Sequence, residues 1–256
     1  MPESKSPVIG AAPEGASDQN AAARAVREMF TSIAPRYDLL NHVLSLNIDR
    51  LWWRRTARKF HDILVHPDAR VLDLCCGTGD MTFALRREGA TSRLSIVGAD
   101  FSHAMLTRAL SKSAGCDPML APNWIEADAL NLPFPDAHFD LVTSAFGFRN
   151  LADYDAGLNE IVRVLRPGGE CGILDFGEPK GILGSLYRIY FRQVLPKVGT
   201  LISGVSGPYA YLPASVERFP SPDEMLGRMK KAGFAKATWT PYTFGIAGLY
   251  RGQKFA

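Results

Sequence analysis

The feature that most limits how this chain folds is an alternation beginning at Ala69, where short apolar runs and helical patterns follow one another in order. ARVLDL, LSIVGAD, NWIEAD, FDLVTSAF and ECGILDF have the length and composition of buried strands. Helical patterns lie between most of them. One spans Asp80 to Arg87, one runs from His103 to Lys112 behind Ser102 as N-cap, and one runs from Asp153 to Arg166 and stops at Pro167, Gly168 and Gly169. The turn-rich LNLPFPDAH separates the third and fourth strands. Such an order predicts βαβ units, and hence a Rossmann-like α/β fold whose mostly parallel sheet carries helices on both faces. Ser221, Pro222 and Glu224 form a capping-box pattern that opens a further helix ending at Gly233. AKATWTPYTFGIAGLYRG then reads as two strands forming an antiparallel edge.

Two stretches stand outside the alternation. Residues 21–68 read as an N-terminal helical cap, in which AAARAVREMFTSIA ends at Pro35 and YDLLNHVLSLNIDRLWWRRTARKF turns Leu51, Trp52, Ala57 and Phe60 toward a core. Residues 179–219 read as a lid or substrate insertion between the core at 70–176 and the closing segment at 221–256. Residues 1–20, rich in Pro, Ala, Gly and Ser and without an apolar run, read as a flexible tail ahead of a single domain. The charge-free stretch Val198 to Val216 contains three glycines and two prolines, which argues against a membrane-spanning helix. With 46% apolar and 21% charged residues, the 256-residue chain has the balance of a soluble globular protein and can bury a sizeable core, and without a spanning stretch or a signal-like apolar run it reads as cytoplasmic. Four cysteines and five histidines show no metal-ligand spacing, so the thiols read as buried and reduced, and no metal is expected.

In an open α/β sheet, ligands bind beyond the carboxyl ends of the strands. The first such end is VLDLCCGTGD, where Gly77 and Gly79 permit a tight turn. A nicotinamide dinucleotide is the obvious ligand to weigh, because Asp100 lies 21 residues after Gly79. Against it, Thr82 stands where that fingerprint wants a third glycine, and Asp73 would repel a pyrophosphate. A carboxylate before the glycines and another after the second strand resemble the S-adenosylmethionine site of class I methyltransferases, whose ligand is cationic and carries no phosphate. That resemblance implies that Asp73 lies near the amino-acid part of the cofactor, that Gly77, Thr78 and Gly79 approach it with their backbone, and that Asp100 accepts from both ribose hydroxyls. It also implies that Asp128 and Ala129 bracket the adenine, against the plainer reading of Asp128 as a turn residue. Cys75 replaces the family's usual first glycine.

The parts outside this core narrow the acceptor. FGFRN ends the fourth strand where nucleic-acid amino methyltransferases carry Asn-Pro-Pro-aromatic, and a net charge of +3 does not supply a nucleic-acid-binding face. The runs FTSIAPRYDLLNHVLSLNIDRLWWR, VLDLCCGTGD, LPFPDAHFD, FGFRN, RVLRPGG and SGPYAYLPASVERFPSPDEM resemble the ubiquinone and menaquinone biosynthesis C-methyltransferase family. The resemblance extends from Val26 to Lys254, and CCGTGD followed by GADFS is more similar to its demethylmenaquinone branch than to its benzoquinol branch.

The resemblance implies methyl transfer from S-adenosylmethionine to a ring carbon of a reduced demethylmenaquinone, giving menaquinol, or, as the alternative, to a polyprenyl methoxy-benzoquinol in ubiquinone biosynthesis. Arg149 is then the expected donor to the developing oxyanion, Asn150 orients the quinol, and Tyr37 or Asp128 handles the proton. An ion pair with a structural acid is the plainer reading of Arg149. Leu183, Leu186, Tyr187, Ile189, Tyr190, Phe191, Val194 and Leu195 offer an apolar face for either an isoprenoid tail or ordinary packing. A lipid acceptor implies transient contact with the inner face of the cell membrane, and a homodimer is compatible with the reading. Two other classes stay open: a methyltransferase for another small molecule, and a catalytically silent cofactor- or quinone-binding subunit.

Overall fold

The computed structural model describes residues 10–255 except 12, 14, 39–41, 43–44, 46, 91–92, 119, 178, 180–183, 185–189 and 191–207. Seven strands are named in chain order: β1 (Arg70–Leu74), β2 (Ser95–Asp100), β3 (Asn123–Glu126), β4 (Phe139–Ala145), β5 (Leu165–Phe176), β6 (Phe234–Tyr242) and β7 (Ala247–Lys254). They form one sheet in the order β3-β2-β1-β4-β5-β7-β6, parallel from β3 to β5. β7 runs antiparallel between β5 and β6, which leaves β6 at the edge. After β1 the chain moves outward through β2 and β3, then returns to place β4 on the other side of β1. This reversal opens a crevice at the carboxyl ends of β1 and β4.

The described helices are α1 (Gln19–Ile33), α2 (Ile48–Arg58), α3 (His61–Leu64), α4 (Asp80–Glu88), α5 (His103–Ser113), α6 (Tyr154–Val164), α7 (Pro208–Arg218) and α8 (Pro222–Ala232). Alternating β1 residues feed two cores: Leu72 and Leu74 pack on the side of α6 and α8, and Val71 packs on the side of α2 and α4. Ser221 and Glu224 form the expected capping box, and Gly233 ends α8 at φ 111°, a left-handed conformation that favours glycine.

Three local expectations change. α6 stops at Val164, because Leu165 pairs with Phe139 and Pro167 to Gly169 lie within β5 at a bulge. Leu51 points outward at 58% exposure, while Trp52, Trp53, Ala57 and Phe60 are buried. Ser102 occupies the N-cap position of α5 without capping it; its hydroxyl lies 3.3 Å from that of Thr31. Near the amino terminus, Gly10 and Ala11 donate to the carbonyls of Ala152 and Leu151, and α1 begins at Gln19 behind Asp18, so part of the expected tail is held. Most of 179–219 lies outside the described residues, including Leu183, Leu186, Tyr187, Ile189, Phe191, Val194 and Leu195.

Candidate active site

A cavity of about 420 Å³ opens at the crevice. Its polar end is built on the turn after β1. Asp73 is fully buried and accepts from the hydroxyls of Thr82 (2.5 Å) and Thr143 (2.8 Å), tying β1 to α4 and β4. Cys75 follows at φ 54° and Gly77 at φ 56°. The non-glycine residue at the family's first-glycine position therefore adopts the left-handed conformation that glycine takes at least cost. Gly147 accommodates it across the crevice: a Cβ there would sit 2.4 Å from that of Cys75. Gly77 and Thr78 line the cavity, whereas Gly79 lies off it: its φ of 88° serves the turn, and a Cβ there would fall 2.5 Å from the Trp124 ring. Burial pushes the Cys75 and Cys76 thiols well above their usual range and keeps them neutral.

Asp100, at the end of β2, accepts the Gly77 N–H on Oδ2 (2.8 Å) and the Ser102 N–H on Oδ1 (2.9 Å). It is 6% exposed and lines the cavity with Asp73. Burial pushes both carboxyls up to about 6. No described residue forms an ion pair with either. Asp128 and Ala129 line the same end, and the Asp128 Oδ1 accepts from the Leu130 N–H at 2.9 Å, so the turn role is present as well. The Arg27 charge favours ionised Asp100 from farther away, and two buried acids with no described cation in ion-pair reach suit a cationic ligand that also offers hydroxyl donors; a pyrophosphate would be repelled.

The other end is aromatic, with Trp52, Phe146, Phe176 and Tyr190 on the lining. Arg149 borders it in the arrangement of its plainer reading. Its Nη1 pairs with Asp175 at 2.9 Å and also donates to the Phe146 carbonyl, its backbone N–H donates to Asp175, and its Nε is buried without a partner among the described residues. Asn150 also lines the cavity, and its Oδ1 accepts from the Tyr211 hydroxyl of α7 at 3.2 Å. Tyr37 enters from the N-terminal cap, 3.8 Å from where a Gly77 Cβ would stand. The next residue, Asp38, accepts from Thr78 and pairs with Lys112 at 2.8 Å, which anchors the cap to the glycine turn.

The structure thus brings Asp73, Gly77, Thr78, Asp100, Asp128, Ala129, Tyr37, Arg149 and Asn150 to one cavity and leaves Gly79 off its lining. Sequence reasoning missed Thr82, Thr143, Asp175 and Tyr211 as partners. Asp175 had a signal, because it ends a strand at the binding edge; Tyr211 had none.

The ubiE/COQ5 methyltransferase family model matches residues 17–254. A demethylmenaquinone methyltransferase of Deinococcus radiodurans is 48% identical over 238 residues, covering 93% of this chain and 95% of that protein. One of Thermus thermophilus is 47% identical and is covered over its full length by 88% of this chain. A ubiquinone/menaquinone biosynthesis C-methyltransferase UbiE of Geobacter sulfurreducens is 44% identical, covering 90% of this chain and 88% of that protein. Among solved structures, a SAM-dependent methyltransferase of Thermotoga maritima, described as a possible histamine N-methyltransferase, superposes with a TM-score of 0.61 at 18% identity, over 90% of this chain and 99% of that one. That likeness concerns the fold, while the sequence match runs through the parallel sheet and the segments before and after it: the chain belongs to the ubiE/COQ5 methyltransferase family.

Proposed function

We propose that this methyltransferase C-methylates the ring of a reduced demethylmenaquinone, with S-adenosylmethionine as the donor. The observation that carries the reading is the cavity itself, in which two buried unpaired acids at one end face an aromatic chamber at the other. The two relatives at 48% and 47% identity bear the demethylmenaquinone name. A second reading, methylation of a polyprenyl benzoquinol in ubiquinone biosynthesis, draws on the joint name of the relative at 44%.

When bound, S-adenosylmethionine supplies a methyl group activated by its sulfonium. Asp100 has lone pairs left that would accept from two ribose hydroxyls beyond the Gly77 and Ser102 donors, and Asp73 would add negative potential that favours the cationic part of the donor. The Gly77 backbone and the Asp128–Ala129 turn flank them, and Thr78 holds the cap through Asp38. A quinol carbon becomes a good nucleophile when the neighbouring hydroxyl loses its proton. Tyr37 or Asp128 takes or relays that proton, and Arg149 and Asn150 stabilise the resulting oxyanion. The aromatic chamber excludes water and seats the ring.

Purified protein incubated with methyl-labelled S-adenosylmethionine and chemically reduced demethylmenaquinone is expected to label the quinol ring, and to label nothing when the quinone is left oxidised. Transfer to a benzoquinol alone would replace this reading with the second. Cofactor binding without transfer to any acceptor would favour a silent subunit.

The raised carboxyls set a pH dependence. Between about pH 4 and 6 the folded protein keeps protons on Asp73 and Asp100 that the unfolded chain has released. These groups therefore favour the fold at low pH, by about 3 kcal/mol each, and that contribution is lost as pH rises through about 6. A cationic ligand prefers the ionised acids, so the rise in melting temperature produced by saturating S-adenosylmethionine should grow from pH 5 to pH 7. A flat or falling ligand-induced rise over that window would place the cofactor away from both acids.

A further inference from the structure

α2 divides cleanly into two faces. Trp52, Trp53, Thr56 and Ala57 are buried, while Arg50, Leu51, Arg54, Arg55 and Arg58 face solvent, followed by exposed Lys59. Asp49, the acid of this helix, is 4% exposed and paired with His42, so the outward face carries cations without acids. No described residue forms an ion pair with Arg50, Arg54, Arg58 or Lys59. The β6–β7 turn lies along this helix. The Trp52 indole donates to the Thr243 hydroxyl at 2.8 Å, and the Arg55 guanidinium stands 4.2 Å from the Tyr242 ring centre. At the tip of that turn Phe244 is 80% exposed, and Thr243, Phe244 and Gly245 all have positive φ, at 45°, 58° and 91°. Left-handed backbone at a bulky aromatic is costly, and here the core gains nothing from it. Trp52, Thr243 and Ile246, which tie the turn to the helix, also line the cavity.

We propose that the outward face of α2 and the Phe244 turn form a docking surface for an anionic phospholipid bilayer, seated beside the mouth of the acceptor chamber. The cations fit the negative surface of such a membrane, and Leu51 and Phe244 supply the apolar groups that enter the headgroup boundary. This inference takes its purpose, collecting a lipid acceptor, from the function proposed above; the surface itself is testable without turnover.

Sedimentation of the full chain with vesicles tests it. Binding is expected with vesicles of equal parts phosphatidylglycerol and phosphatidylcholine, to weaken as salt is raised, and to be absent with phosphatidylcholine alone. Arg54→Glu and Arg58→Glu should each lower the partition coefficient by about fivefold or more, and Phe244→Ser by about tenfold. All three residues are exposed, so the variants should keep the wild-type melting temperature and the wild-type turnover of a tail-less, water-soluble quinol. Wild-type partitioning in all three variants, equal binding to neutral vesicles, or binding of single-stranded polynucleotide through the same residues without vesicle binding would each overturn the proposal. Residue-dependent docking in a protein that methylates no quinol would sink the acceptor assignment and leave the surface standing.

Discussion

Replacing Asp100 with alanine is expected to weaken S-adenosylmethionine binding by about a hundredfold or more, since hydrogen bonds to a charged acceptor are worth roughly 1.5 to 3 kcal/mol each and two ribose hydroxyls lose theirs. The same change strands the Gly77 and Ser102 N–H groups, which now point at Asp100 from 2.8 and 2.9 Å. The glycine turn then loses the anchor that fixes its shape. Asp100→Asn separates these contributions, because the amide keeps one acceptor oxygen for the backbone but brings a donor toward the ribose. Calorimetric titration with S-adenosylhomocysteine should rank wild type above the asparagine variant and that above alanine. An alanine variant binding within about fivefold of wild type would remove Asp100 from the cofactor site, since that gap is worth only about 1 kcal/mol.

The parts legible in the sequence are those whose physics is local. Strand and helix period placed β1 to β5, and the Ser221 capping box and Gly233 placed α8, because each depends on residues a few positions apart. The acids at strand ends were legible for the same reason: a strand followed by a glycine turn fixes where a carboxylate emerges. Pairings across the chain were not legible. The end of α6 was misplaced because Leu165 is claimed by Phe139 in the neighbouring strand, a tertiary contact that overrides the Pro-Gly-Gly stop signal. Gly79 makes the tight turn that the glycine pattern implies, at φ 88°, but it faces the Trp124 ring, 45 positions away, rather than the cavity. Leu51 looked inward by composition alone, but the two neighbouring tryptophans take the buried face and rotate it into solvent. Asn150 could be nominated from its strand end, whereas its partner Tyr211 comes from a helix outside the core.

Removing Arg149 should damage the fold before it informs on the chemistry. Asp175 is fully buried, and Arg149→Met leaves it without its cation, a loss of about 3 to 5 kcal/mol that lowers the melting temperature by roughly 10 °C. The backbone N–H groups of Arg149 and Phe176 that still donate to Asp175 soften the loss without replacing the charge. Converting both partners, Arg149→Met with Asp175→Leu, should recover much of the stability, since no charge is then buried alone. A melting temperature within about 2 °C of wild type for Arg149→Met would show that the pair does not hold the ends of β4 and β5 together, because even 1 kcal/mol shifts a chain of this size by 2 to 4 °C. Lost activity in that variant therefore assigns nothing by itself. Arg149→Lys is the informative change, because an ammonium can still face Asp175 but lacks the planar fork that would donate to Asp175 and to a quinol oxygen together. If Arg149 stabilises the oxyanion, the lysine variant regains most of the stability, keeps cofactor affinity, and turns over at least about tenfold more slowly, with part of the roughly 2.7 to 4 kcal/mol that a preorganised donor contributes still missing. Recovery of turnover in step with stability would confine Arg149 to the ion pair and leave the oxyanion to Asn150, held in place by Tyr211.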